Sequence, residues 1–217
     1  MHPPAQIEFV RQQLQEKNEP YQSAYLQLLR SADKALEIPH HAPEDFNVPG
    51  YYQDPEGHWK GAWDLQTDGF NVYACALAYR LGGGEQYGIK ACELLIAWAQ
   101  INQRFSGYDG QLAMADAGAG MVIAAQLMSA SDLWGETDRS LFSQWIMNVY
   151  RKACNEIRNK PNNGGDWGRF GSLLRAVYCN DRDEMNENGR LSKSDRGHKI
   201  VEDGSMPEET SCGEKGR

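Results

Sequence analysis

From Pro161 to Arg169 the chain reads Pro161-Asn162-Asn163-Gly164-Gly165-Asp166-Trp167-Gly168-Arg169, placing amides, a carboxylate, an indole and a guanidinium together. Glycine and proline punctuate helices, so these groups are expected in a turn at a helix mouth. Converging amides, an indole and a cation suit a hydroxyl-rich, carboxylate-bearing sugar. The structural alternative is an Asn-Gly turn followed by an N-capping Asp166. A second cluster lies in Tyr51-Tyr52-Gln53-Asp54-Pro55-Glu56-Gly57-His58-Trp59-Lys60-Gly61-Ala62-Trp63. His58 is a candidate base near neutral pH, or a solvated loop histidine. Trp59 and Trp63 could stack on sugar faces, with Trp63 as a core plug the alternative, and Lys60 supplies a local positive charge. His40 and His41 read as plain loop. Asp64 or Asp68 caps a following helix, leaving Gln66 and Asn71 to face a cleft. In Phe105–Gln111 the choice is between a simple turn or cap and a loop that brings Tyr108 to the same mouth.

Bulk properties restrict the partners. A net charge of −8 argues against nucleic acid and anionic membranes, and asks any polyanionic ligand for a locally positive cleft. No apolar run approaches about 18 residues, so no membrane insertion is expected. Met1-His2-Pro3-Pro4 leads into a polar helix pattern rather than a signal peptide. The cysteines, Cys75, Cys92, Cys154, Cys179 and Cys212, are widely spaced with no CxxC pair. A zinc site and a disulfide framework are therefore not expected, and no cofactor is implied.

Helical periodicity dominates the elements that must position these residues. Ile7 to Leu14 and Tyr21 to Ala32 mark two helices, followed by a long loop from about Ile38 to Trp63. Loops beyond roughly 12–15 residues are often functional. Helices are then expected over Asp68–Leu81, Glu85–Gln100, Gln111–Leu133, Glu136–Asn159 and Trp167–Cys179. Short connections imply antiparallel neighbours, hence an all-α bundle or toroid of helical hairpins. Asn180 to Asp203 is too polar to bury much. Asp203-Gly204-Ser205-Met206-Pro207-Glu208-Glu209-Thr210 is a turn with paired carboxylates, read as cap and scaffold.

Asp68-Gly69-Phe70-Asn71-Val72-Tyr73-Ala74-Cys75 and Tyr87-Gly88-Ile89-Lys90-Ala91-Cys92-Glu93-Leu94 resemble the first core hairpin of the alginate lyase-like superfamily. The Asn162-Asn163 turn and Asp203–Gly213 resemble its two active-site segments, and the likeness runs from about His2 to Arg217. It implies an incomplete (α/α) toroid of antiparallel helical hairpins, one domain over 1–217 lacking its C-terminal helices. It also implies cleavage of uronate polysaccharides by β-elimination, a periplasmic or secreted location, and an anionic polysaccharide or oligosaccharide as partner.

In that chemistry an amide or cation neutralises the substrate carboxylate, a Tyr or His removes the C5 proton, and a Tyr commonly protonates the leaving oxygen. Asn163 is the expected neutralising amide, with Asn162 supporting it. Arg169 pairs with a substrate carboxylate or is a surface cation one turn into its helix. Trp167 and Glu209 complete the expected substrate contacts. Relatives typically carry His where Gly164 stands and Arg where Cys212 stands, and their catalytic Tyr would fall beyond Arg217. Weak binding and poor turnover are therefore expected unless His58 or Tyr108 takes the base role. Two other readings stay open: a glycoside hydrolase using Asp166 with Glu208 or Glu209, and a non-catalytic uronate-binding fragment.

Overall fold

The computed structural model describes residues 1–194 and 196–210. It is predominantly all-α, with two three-residue strands. Helices α1 (Pro4–Gln15) and α2 (Tyr21–Leu36) precede the segment that was expected to stay irregular through Trp63. Instead α3 runs from Pro55 to Arg80. Asp54 caps it by accepting from the Gly57 amide at 2.9 Å, and Pro55 occupies the first helical position, where its missing N–H costs nothing. His58, Trp59, Lys60 and Trp63 thus ride on a helix. Asp64 and Asp68 lie inside it and cap nothing.

The chain reverses at Gly82, whose φ of +98° suits glycine, and returns as α4 (Glu85–Ile101) along α3. The irregular segment before α3 is fastened at several points. Strand β1 (Asp45–Asn47) pairs in parallel with β2 (Arg104–Ser106), matching Phe46 to Phe105. Asn102 donates to Pro43 O at 3.1 Å and Arg104 O at 3.0 Å, and accepts from Trp145 Nε1 at 2.9 Å. Asp68, fully buried, accepts from His41 N, His41 Nδ1 and Trp98 Nε1, each at 2.7 Å. A buried carboxylate is tolerated only with such partners. His41 is therefore an anchor and not plain loop.

One helix was expected over Gln111–Leu133; the chain forms α5 (Gly110–Ala117) and α6 (Ala119–Met128), broken at Gly118. A β-carbon there would stand 2.7 Å from the Tyr150 ring, which fills the notch. Where α6 crosses α3, a Gly120 β-carbon would lie 2.5 Å from Gly69 O, so the two backbones meet directly. Helices α7 (Glu136–Trp145) and α8 (Arg151–Ile157) flank a π-helical turn at Ile146–Tyr150. Then come α9 (Asn163–Tyr178), α10 (Arg182–Ser194), which the polar pattern had not suggested, and the short α11 (Arg196–Lys199) and α12 (Pro207–Thr210).

The core is one cluster centred on Trp98, Trp134, Phe142, Trp145 and Tyr150, with the Phe142 and Trp145 rings stacked at 5.3 Å. Within α9, Gly165, Gly168 and Gly171 face α8 and the turn that follows α8. Added β-carbons would reach Lys160 O at 2.0 Å, Arg158 N at 2.6 Å and Cys154 Sγ at 2.5 Å. Gly165, expected in the turn, is helical like Gly168 and Gly171, and together they let two helices approach at backbone distance. Cys75, Cys92, Cys154 and Cys179 are free thiols. Among the described residues no helix is long and apolar enough to cross a membrane.

Candidate active site

Three segments converge on the first turn of α5. The first is the start of α3, where His58 projects toward the preceding loop. His58 Nδ1 lies 3.1 Å from Pro49 O and 3.2 Å from Asp109 Oδ2. The second is the loop after β2. Gly107 has a φ of +82°, and a β-carbon there would meet Val48 O at 2.2 Å, so the loop lies flat against the segment bearing Pro49. The backbone bond from Asp109 N to Val48 O, 3.1 Å, completes the seam.

Asp109 precedes α5 yet makes no capping bond with its side chain. Its carboxylate instead accepts from Tyr51 N at 2.8 Å and faces His58. Around this pair stand exposed aromatic rings. Tyr51 and Trp59 approach His58 edge-on at 5.5 and 5.7 Å, and Tyr108, 72% exposed, lies against Gly50.

The third segment is the Asn162-Asn163 turn. Asn162 caps α9, its Oδ1 accepting from Gly164 N at 3.1 Å. Asp166, the alternative cap, lies inside the helix and pairs with Lys199. A β-carbon on Gly164 would touch Leu112 Cδ1 at 3.8 Å. Leu112 lies one turn into α5, so this corner and the His58–Asp109 pair flank a stretch only about 5 Å long. The Asn163 backbone N–H donates to Glu209, an anion where helix amides are unsatisfied. Its own side-chain amide is exposed and engaged by no described residue.

A cleft of ≈ 510 Å³ opens beside this turn between α9 and α10, lined among others by Asp166, Arg169, Phe170, Asn188 and Lys193. A family model for alginate lyase matches residues 11–216, which include all three segments. The chain belongs to the alginate lyase family. Its activity class at family level is that of a polysaccharide lyase. No curated protein sequence matches it significantly.

Within this alginate lyase family chain the other candidates fall as follows. Trp59 and Trp63 are 56% and 62% exposed, so Trp63 does not plug the core. Lys60 is exposed on the same helix, and Gln66 lines an apolar groove with Phe70 and Tyr73. Asn71 is buried at 6% exposure, with Nδ2 unpartnered. Arg169 is no surface cation: it is buried, 3.8 Å from Asp166. Trp167 is half-exposed against Phe170. Cys212, the position where relatives carry Arg, lies outside the described residues. Of the carboxylates, burial raises Asp64 above the ordinary value, opposed by His41 and reinforced by Asp68.

Sequence reasoning missed Asp109, Tyr51 N and the Pro49 carbonyl. The Asp54-Pro55 cap signal would have put His58 on a helix, but Asp109 comes to it across 51 residues and left no local trace.

Proposed function

We propose that this chain cleaves a uronate-containing polysaccharide by β-elimination, with its helical hairpins forming part of an (α/α) toroid. Family membership supplies the reaction class. The observation that carries the site is the His58–Asp109 pair beside the first turn of α5, with the Asn162–Gly164 corner, where the Asn163 side chain is exposed, against Leu112 of the same helix.

In this reading the Asn163 amide hydrogen-bonds the uronate carboxylate and stabilises the charge that develops on it. His58 removes the C5 proton. The C5–H electron pair becomes the C4–C5 double bond as the C4–O4 bond breaks, and O4 leaves with a proton from Tyr108. The products are a 4,5-unsaturated uronate and a new chain end; His58 returns its proton to solvent and Tyr108 recovers one. Trp59 and Trp63 offer ring faces to flanking sugars, Lys60 a cation, and Trp167, Asn162 and Gln66 further polar or stacking contacts.

Hydrolysis through Asp166 and Glu209 is disfavoured by their engagements: Asp166 pairs with Lys199 and Glu209 holds the Asn163 N–H. The test is incubation with alginate and glucuronan, following absorbance near the ultraviolet edge. A growing unsaturated-uronate signal supports elimination. New reducing ends without that signal would establish hydrolysis, and calorimetric sugar binding with neither product would establish a binding protein.

A further inference from the structure

We propose that Asp109 is a positioning residue: with the Pro49 carbonyl it locks His58 as the Nδ1–H tautomer and leaves Nε2 as the atom that accepts the proton. The inference rests on the reading of His58 as the base. A peptide carbonyl can only accept a hydrogen bond, and a carboxylate already accepting from the Tyr51 amide presents a second acceptor. Pro49 O accepts from His58 Nδ1 at 3.1 Å, and Asp109 Oδ2 stands 3.2 Å from the same nitrogen as its ion-pair partner. A neutral imidazole in that position must carry its hydrogen on Nδ1, and its lone pair is then on Nε2. Nε2 has no hydrogen-bond partner among the described residues, and it is not one of the buried unpartnered atoms. It therefore keeps some exposure to solvent.

The local geometry shows what the carboxylate gives up to be there. An Asp at a helix N-terminus ordinarily accepts from the helix's own amides, and losing such a cap destabilises the helix. Asp109 forgoes this bond. Its backbone is held by Val48 O, and the Gly107 turn and the β1–β2 pair set the loop against Pro49. The Tyr51 and Trp59 rings, edge-on at 5.5 and 5.7 Å, restrict rotation of the imidazole. Acceptors, ring and seam all come from segments fastened to one another, so the tautomer is fixed before any sugar arrives.

The experiment is long-range ¹H–¹⁵N correlation on ¹⁵N-histidine-labelled protein at a pH where the His58 ring is neutral, with His58→Gln to assign its signals. The wild type should show protonated Nδ1 and unprotonated Nε2. In Asp109→Ala the pattern should move to a tautomer mixture. The variant's kcat should fall by about 10- to 10⁴-fold, the range seen when an orienting carboxylate is lost, with KM little changed. Asp109→Asn, which keeps one acceptor oxygen, should recover part of the loss. A wild-type ring protonated on Nε2 overturns the proposal, as does an unchanged tautomer in a folded Asp109→Ala. If Asp109→Ala does not fold, the wild-type spectrum decides. Nδ1–H in the wild type together with undiminished turnover by His58→Gln would sink the base assignment while leaving the lock in place.

Discussion

A histidine held by two acceptors is more useful to a base than a freely rotating one, because orientation is settled before the proton moves. On this account His58→Ala should lower kcat by about 10²–10⁴-fold, and Asn163→Ala by about 10²–10³-fold through lost carboxylate stabilisation. Asn163→Ala should keep the wild-type circular dichroism spectrum, since that side chain is exposed. Asp116 provides a residue-scale test of stability. Burial raises its pKa above the ordinary 3.8, and its side chain has no polar partner among the described residues. An acid with a raised native pKa binds more protons folded than unfolded between the two values, so stability falls as pH rises through that window. Asp116→Asn should therefore match the wild type in acid and become the more stable protein toward neutral pH. Urea denaturation across that range reads the difference; a gap that narrows with rising pH would contradict it.

At the level of elements, the glycine face of α9 carries the clearest consequence. Gly168→Ala and Gly171→Ala push a methyl group onto the backbone of Arg158 and onto Cys154 with Tyr150. Each should destabilise by about 1–3 kcal/mol, as overpacking does. Gly189 in α10 meets nothing within 4 Å, so Gly189→Ala should stabilise by about 0.5–1 kcal/mol through helix propensity and a less disordered unfolded chain. Chemical denaturation distinguishes the two signs. The same helices show what was legible beforehand. Apolar residues at helical spacing announced α2, α4 and the body of α3, because burial of one stripe writes itself into the sequence. Gly118 and the glycines of α9 did not announce their roles, since a break or a close approach depends on Tyr150 and Arg158 arriving from elsewhere. Strands of three residues are too short for alternation to show. For the site, Asn163 and His58 were visible as chemistry, whereas Asp109 stood unmarked in a turn-or-cap segment, because only the folded chain brings His58 within its reach.

Across the molecule, burial sorts the thiols. It pushes Cys75 and Cys154 up to about 12 and Cys92 up to about 11, so these are overwhelmingly protonated at neutral pH and shielded by the core. Cys179 is exposed, although partial desolvation raises it too. Thiolate is the reactive form, so alkylation under native conditions followed by mass mapping should mark Cys179 and spare the three buried cysteines until denaturant is added. Early labelling of Cys154 would mean that α8 and α9 separate far more readily than their packing implies.

Asn102 and Asp68 fasten the loop before α3 to Trp145 and Trp98, residues at the centre of the protein. Heat therefore has no easy way to loosen the candidate site alone. Freeing the segment that leads to Pro49 and Tyr51 would strip the buried Asp68 carboxylate of its His41 donors and the Asn102 amide of its Pro43 acceptor, leaving buried polar groups underpaired beside Trp98 and Trp145. Loss of activity on warming should follow the cooperative melt degree for degree, with no lower-temperature phase in which an otherwise native protein has gone silent. Shelf life, working temperature and resistance to proteases in that loop would all be set by the same transition.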